Sequence, residues 1–193
     1  MTPPEFKKAA APVSADYFAM LGLEERYAVD MSALERNYLE RSRAVHPDRF
    51  VNAPASERVS ALQQSMLLND AYKAVKDPRA RAEFLLQRHG VEIGDNERLD
   101  PAFLMEVLEL REELGEAKQA GDMPTLRRLE DAMVDRRDAG LARIAALFAD
   151  LEEVSEGGRG HVLSAIKQQV ITLRYVHRYL EEFDEVFADE DEL

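Results

Sequence analysis

Residues 30–48 read DMSALERNYLERSRAVHPD, and this stretch decides how the N-terminal half of the chain folds. At about 100° per residue, three side chains share one face of a helix: Leu34, Tyr38 and Val45. Asp30 or Ser32 can cap the start of this helix. It must end near Val45, because the residue before a proline disfavours helical dihedrals.

The next three residues, His46-Pro47-Asp48, lie in the loop after this helix. Pro47 fixes one backbone dihedral. The Asp48 carboxylate can accept two hydrogen bonds from an arginine of a partner, and the His46 imidazole can hold the loop or contact that partner. Taken alone, such a histidine more often only interacts with the helix dipole. The surrounding sequence has to decide between these two interpretations.

Arginines occupy the other side of the same helix. Arg36 and Arg43 lie opposite the apolar face, where they can meet an acidic surface, whereas Arg41 projects nearer the apolar face. Glu35 and Glu40 interrupt these cations and leave the helix only slightly positive.

Helical periodicity extends over almost the whole chain, and we find no convincing strand-like alternation. Glycine and proline residues divide the pattern into helices, which we place near residues 17–21, 31–45, 56–76, 78–90, 101–120, 124–153 and 161–183. We expect a turn at residues 157–160 (GGRG) and a weak point at Gly140. The predicted fold class is all-α.

Composition suggests five segments along the chain. We expect a flexible tail at residues 1–15, a first domain at 16–90, a linker at 91–100, an antiparallel three-helix bundle at 101–183 and an acidic tail at 184–193. The linker has little apolar content, and the last segment is rich in acids.

Composition also excludes several functions. The 193 residues are 46% apolar and 33% charged, which suits a folded protein, and the absence of cysteine rules out disulfides and thiolate metal sites. The net charge of −13 falls entirely within residues 95–193, so bare nucleic acid is a poor partner. No apolar run approaches a membrane span, and the N-terminus lacks the apolar core of a secretory signal. We therefore expect a cytoplasmic protein that binds neither nucleic acid nor membrane.

Several motifs around His46-Pro47-Asp48 resemble the J-domain, the module by which J-proteins drive ATP hydrolysis on a chaperone of the DnaK class. These motifs are Asp16-Tyr17-Phe18, Leu21-Gly22, Tyr38, Asn69-Asp70-Ala71-Tyr72, Asp77-Pro78 and Arg81. The resemblance covers residues 16–90 and implies a chaperone-binding set of His46, Pro47, Asp48, Arg36, Arg41 and Arg43. Many J-domains carry a more basic helix, so docking here is predicted to be weaker or tuned to one chaperone.

Further motifs are similar to the HscB family, the J-proteins of iron–sulfur cluster assembly. They are Phe50, Gln64-Ser65, the run RAEFLL at 81–86 with Gly90, and the run FLME at 103–106 continued by LELREEL at 108–114. The resemblance implies a C-terminal domain that binds the scaffold IscU and a J-domain that engages an HscA/DnaK-type chaperone, promoting cluster transfer. The chain does not match eukaryotic relatives with a cysteine-based metal site, since it has no cysteine.

The helix that begins at Pro101 carries two apolar surfaces. One is a core stripe of Phe103, Val107, Leu110 and Leu114. The other groups Leu104, Met105 and Leu108 with two acids, Glu109 and Glu112. Spacing alone also fits a helix that packs against two neighbours. The resemblance to HscB instead implies scaffold contacts at these five residues and at Tyr175 of the last helix.

The remaining motifs indicate no chemistry. The glycines at 157–160 lack the lysine of a phosphate-binding loop, and the histidines do not form a metal-binding pair. We predict no catalytic residue, metal or cofactor. Two rival hypotheses remain: a general J-type protein that presents unfolded clients, and an enzyme that uses His46 and Asp48 as acid–base groups.

Overall fold

The computed structural model describes residues 16–94, 97 and 100–191, and regular structure within them is entirely helical. These residues form seven α-helices: α1 Tyr17–Leu21, α2 Met31–Val45, α3 Ala55–Lys76, α4 Pro78–Arg88, α5 Pro101–Ala120, α6 Met123–Glu153 and α7 Glu156–Asp191. A short 3-10 turn, Pro47–Phe50, joins α2 to α3. The all-α prediction is confirmed. The tail predicted at 1–15 and the last two residues of the predicted acidic tail lie outside the described residues.

Contacts divide the chain into two compact units. Among the described residues, the first unit holds those from Asp16 to Glu25 together with Val29–Asp77, and the second holds Arg26–Ala28 and those from Pro78 onward. This division differs from the boundary that composition suggested at residues 91–100, because the contacts of α4 lie with the second unit.

In the first unit, α1 and α2 both pack against α3. Phe18, Leu21 and Leu34 are fully buried. Tyr38 of α2 stacks on Tyr72 of α3 with ring centroids 3.9 Å apart, and its hydroxyl donates a hydrogen bond to Asn69 Oδ1 over 2.8 Å. The motif at residues 69–72 therefore fastens the α2–α3 hairpin that presents the His46 turn.

The structure at the end of α1 explains why residue 22 is a glycine and what the Arg41 side chain contacts. Gly22 has a left-handed φ of 65° and caps the helix. The Arg41 guanidinium donates hydrogen bonds to the carbonyls of Ala19 and Met20. A Cβ at Gly22 would lie 2.5 Å from Arg41 Nη2, so only glycine permits both the backbone conformation and this contact.

In the second unit, α5, α6 and α7 form the three-helix bundle, and α4 packs against α6 and α7. Two-residue connections join the bundle helices, so sequential neighbours run antiparallel. Part of the core is a cluster of Phe103, Val107, Leu114, Ala117, Leu126, Leu129, Met133, Val176, Tyr179 and Phe183.

A buried arginine joins α4 to this unit. Arg81 is only 6% exposed and donates a hydrogen bond to the Tyr27 carbonyl over 2.8 Å. The Tyr27 ring in turn stacks on Phe148 of α6, with centroids 4.8 Å apart. These contacts explain why residues 26–28 and α4 cluster with the bundle helices.

The segment before α5 is also bonded to α7. Glu97 pairs with Lys167 over 2.8 Å and accepts a hydrogen bond from the backbone of Gly94. Arg174 donates to both carboxylate oxygens of Glu83 in α4 and to the Gly94 carbonyl. The stretch predicted as a linker therefore has specific polar contacts within the second unit.

The connection between α6 and α7 lies earlier in the sequence than predicted. α6 ends at Glu153 and α7 begins at Glu156, so the glycines at 157–160 lie inside the first turns of α7. A Cβ at Gly158 would lie 2.5 Å from Val154 Cγ2, which shows that glycine here permits close packing and not a turn. α7 also continues as a helix to Asp191, through most of the predicted acidic tail.

α6 passes through Gly140 without a break, so the expected weak point is absent from this helix. A Cβ at Gly140 would lie 2.8 Å from Leu173 Cδ2. The glycine therefore lets α7 approach α6 closely.

Candidate functional site

His46 is the junction between α2 and the 3-10 turn. Its extended backbone, with φ −61° and ψ 128°, ends the helix and caps the turn. The backbone N–H of Asp48 donates to His46 Nδ1 over 3.3 Å. Because Nδ1 accepts this bond, a neutral imidazole carries its proton on Nε2.

The Asp48 carboxylate faces solvent. Its side chain is 84% exposed, and one oxygen lies 3.6 Å from His46 Nδ1. An exposed carboxylate held by a short turn is a suitable acceptor for an arginine of a partner. The sequence-predicted residues His46, Pro47 and Asp48 thus lie together in one accessible turn.

Arg49 is a residue of this turn that sequence reasoning missed. Its Nη1 donates to the carbonyl of Arg43 over 3.3 Å. This bond satisfies a carbonyl in the last turn of α2 and fastens the 3-10 turn to the helix. A basic residue just after a helix end was the available signal.

The predicted arginines separate into two groups. Arg36 and Arg43 are exposed on the outer face of α2, as the helical spacing predicted. The Arg41 guanidinium instead holds the end of α1. The structure therefore brings Arg36 and Arg43, but not the Arg41 head group, to the face that leads to His46.

The second surface lies on α5. Leu104, Met105 and Leu108 are 45%, 58% and 52% exposed, and Glu109 and Glu112 beside them are also exposed. We call these five residues the α5 patch. Sequence spacing left open whether its apolar side chains pack against a second neighbour, and the structure leaves about half of each one accessible.

The opposite face of α5 is anchored to the bundle. The Tyr179 hydroxyl of α7 donates to the Val107 carbonyl over 2.7 Å, and burial raises the pKa of this phenol. Tyr175, the sixth predicted scaffold residue, is half-buried and meets Phe103 edge-on with centroids 6.3 Å apart. Five of the six predicted residues therefore share the patch, whereas Tyr175 contacts the buried side of the same helix.

A charged pair fixes α5 to α6. Both carboxylate oxygens of Glu106 accept hydrogen bonds from Arg136, the second over 2.8 Å, and the Arg136 guanidinium lies 4.8 Å from the Phe103 ring centroid. These hydrogen bonds hold the pKa of the Glu106 carboxyl below its ordinary value. The pair orients the helix that carries the α5 patch.

This pair gives a pH-dependent prediction. Because the folded-state pKa of Glu106 is lowered, its contribution to stability is present above the ordinary carboxyl pKa and is lost as the pH falls through the lowered one. We expect Glu106→Gln to reduce the free energy of unfolding by about 0.5–1 kcal/mol at pH 7, discounted for partial exposure, and by less at pH 2. Urea unfolding at both pH values measures this. Glu116→Gln, an exposed change on the same helix, is the control, and an equal loss at both pH values would contradict the ionic origin.

In residues 16–94, 97 and 100–191, no group of three or more His, Asp or Glu side chains could hold a metal ion. Within that same part of the chain, no helix combines the length and the apolar character that a membrane span requires.

An α2–α3 hairpin that presents His-Pro-Asp, followed by a helical bundle, defines the class of J-domain co-chaperones. The family model described as the HSCB C-terminal oligomerisation domain matches residues 99–184. The structure of chaperone HscB from Vibrio cholerae is similar, with 30% identity and a TM-score of 0.77 over 91% of this chain and 99% of that chain. Human co-chaperone protein HscB has 25% identity and a TM-score of 0.78 over 91% of this chain and 83% of that chain. The chain belongs to the HscB family of co-chaperones, which acts in iron–sulfur cluster assembly.

Proposed function

We propose that this protein couples an IscU-type scaffold to an HscA/DnaK-type chaperone. The α5 patch binds the scaffold, and the turn at His46 stimulates ATP hydrolysis by the chaperone, so that the cluster is transferred to recipient proteins. The single observation that carries the proposal is the presence, in one HscB-family chain, of an exposed His-Pro-Asp turn and a separate, acid-rimmed apolar patch.

The turn acts by differential binding. Arg36 and Arg43 can contact an acidic surface of the chaperone, and Asp48 can accept hydrogen bonds from an arginine there. If these contacts are stronger in the hydrolysis-competent conformation of the chaperone, docking shifts its population toward that conformation. The protein itself supplies no reacting group.

Exposure argues against direct catalysis by the same residues. The side chains of His46 and Asp48 are 54% and 84% exposed. General acid–base groups gain their effect in sites that exclude water and position a substrate. We therefore assign both residues to docking.

The α5 patch suits a partner that must be released. Three half-exposed apolar side chains contribute about 1–2 kcal/mol each on burial, and association entropy offsets a large part of this gain. We therefore expect a weak complex, which suits a delivery factor that must release its partner. Glu109 and Glu112 at the rim favour a scaffold surface that carries basic side chains.

The test is steady-state ATP turnover by an HscA-type chaperone, measured with this protein, with an IscU-type scaffold, and with both. The proposal expects the two together to stimulate more than the sum of their separate effects. Stimulation that ignores the scaffold would retain the J-domain function and favour a general client-presenting protein. No stimulation of HscA-type or DnaK-type chaperones would overturn the proposed function.

A further inference from the structure

An open groove runs along the outer face of α2. It has a volume of about 890 Å³ and is lined by Met31, Ser32, Glu35, Arg36, Leu39, Glu40, Arg43 and Lys76. Two of its side chains are large and apolar yet exposed, Met31 at 43% and Leu39 at 46%. Exposed apolar side chains that line a groove in a charged face indicate a contact surface.

Leu39 occupies the centre of the face that leads to the His46 turn. It lies three residues after Arg36 and four residues before Arg43, so the three side chains are neighbours on the helix surface. Leu39 and His46 are two helical turns apart, which is about 10 Å along the axis. The groove therefore lies on the same helix face as the turn that carries the proposed function, about two helical turns before it.

The charged side chains around Leu39 fall into two groups, according to whether they are bonded within the protein. On one wall of the groove, Glu35 accepts a hydrogen bond from the Tyr72 hydroxyl over 2.5 Å, and Lys76 donates to that same hydroxyl over 2.8 Å. The guanidiniums of Arg36 and Arg43, by contrast, form no ion pair within the described residues. The groove thus offers a partner an apolar centre between two available cations.

We propose that Leu39 is a specificity-determining contact, which inserts between apolar side chains of the ATPase chaperone where acidic residues flank an apolar depression. This inference rests on the proposed function and deepens it. Docking by charge alone would favour a cation at position 39, between the two arginines. The apolar side chain instead selects a chaperone surface that can bury it, and this selection compensates for the small net charge of α2.

Docking by charge and docking by apolar burial predict opposite changes in affinity for Leu39→Lys. The added cation tightens binding if docking depends on charge, whereas our inference expects the loss of apolar burial to weaken it. We expect the concentration for half-maximal stimulation of the chaperone ATPase to rise about tenfold, equivalent to the burial of roughly half a leucine side chain. Leu39→Met, which keeps an apolar side chain of similar volume, should remain within about twofold of the original chain.

Leu62→Lys is the matched control. Leu62 lies on α3 and is 51% exposed, so the substitution adds the same charge to the same unit with a similar change in exposed apolar area. We expect Leu62→Lys to leave the half-maximal concentration unchanged. An equal rise in Leu62→Lys and Leu39→Lys would overturn the inference, because the effect would not depend on the groove.

The experiment separates failure of the inference from failure of the proposed function. If the original chain does not stimulate the chaperone, the proposed function fails first. If the original chain stimulates, His46→Gln does not, and Leu39→Lys docks as well or better, then the proposed function stands and the inference is overturned. Sedimentation velocity tests whether a second copy of the chain occupies the groove instead. Concentration-dependent self-association that Leu39→Lys abolishes would show this, and it would also overturn the inference.

Discussion

His46→Gln should abolish stimulation of an HscA- or DnaK-type ATPase, reducing turnover to the chaperone's basal rate. The imidazole orders the turn because its Nδ1 accepts a hydrogen bond from the Asp48 backbone N–H. A glutamine side chain cannot place an acceptor and a donor at the positions of the two ring nitrogens. The fold should persist, since the histidine side chain is 54% exposed and exposed substitutions usually change stability by less than about 0.5 kcal/mol. Turnover assays and thermal unfolding of the same preparations measure both effects.

His161→Gln is the matched control for this prediction. His161 is an exposed histidine near the start of α7, outside the proposed docking residues. It should retain full stimulation. A His46→Gln protein that is folded and stimulates normally would show that the turn does not act on the chaperone.

Simultaneous replacement of Leu104, Met105 and Leu108 by alanine should weaken scaffold binding about 100-fold, which corresponds to about 3 kcal/mol. The three side chains are 45–58% exposed, so truncation removes contact area without opening a cavity in the core. Alanine also favours helix, so α5 should be no less stable. Titration calorimetry with an IscU-type scaffold measures the affinity, and ATP turnover without scaffold should be unchanged.

The chain offers a closely matched control for the triple variant. Val59, Leu62 and Met66 lie along one side of α3 and are 54%, 51% and 59% exposed. Their replacement by alanine removes a similar apolar area from the other unit. If both triple variants lose scaffold affinity equally, binding depends on general exposed apolar surface, and the α5 patch is not the site.

The helices were largely predictable because their signals are local. Asp100 caps α5 through hydrogen bonds to the N–H groups of Ala102 and Phe103, and Gly121 ends it with a left-handed φ of 61°. Such capping depends on residues within one helical turn of each other. The sequence therefore predicts the bounds of α5, and those of α1, without knowledge of the tertiary structure.

The turn between α6 and α7 was placed wrongly because glycine has two uses. Sequence patterns treat consecutive glycines as turn residues. Here Gly158 is helical, and its missing Cβ makes room for the Val154 side chain. That requirement comes from the packing of neighbouring turns and has no signature in local composition.

The candidate sites were predictable in part. Helical spacing placed Arg36 and Arg43 on an exposed face, as the structure shows. It grouped the residues of the α5 patch on one face, but it left open whether that face is exposed, which the structure shows. It could not show that Arg41 bonds to α1 or that the Leu39 groove stays open, because both depend on which helices pack against α2. Resemblance to HscB supplied the roles of these residues, which geometry alone does not supply.

The exposed apolar side chains of α3 and α5 also govern how separate molecules behave toward one another. At neutral pH the chain carries a net charge of −13, and this mutual repulsion keeps such surfaces apart in solution. Near the isoelectric point of about 4.8 the repulsion vanishes, while the apolar side chains remain. Solubility should therefore pass through a deep minimum in mildly acidic buffer. Molecules that stay folded there should aggregate through the exposed apolar side chains of α3 and α5.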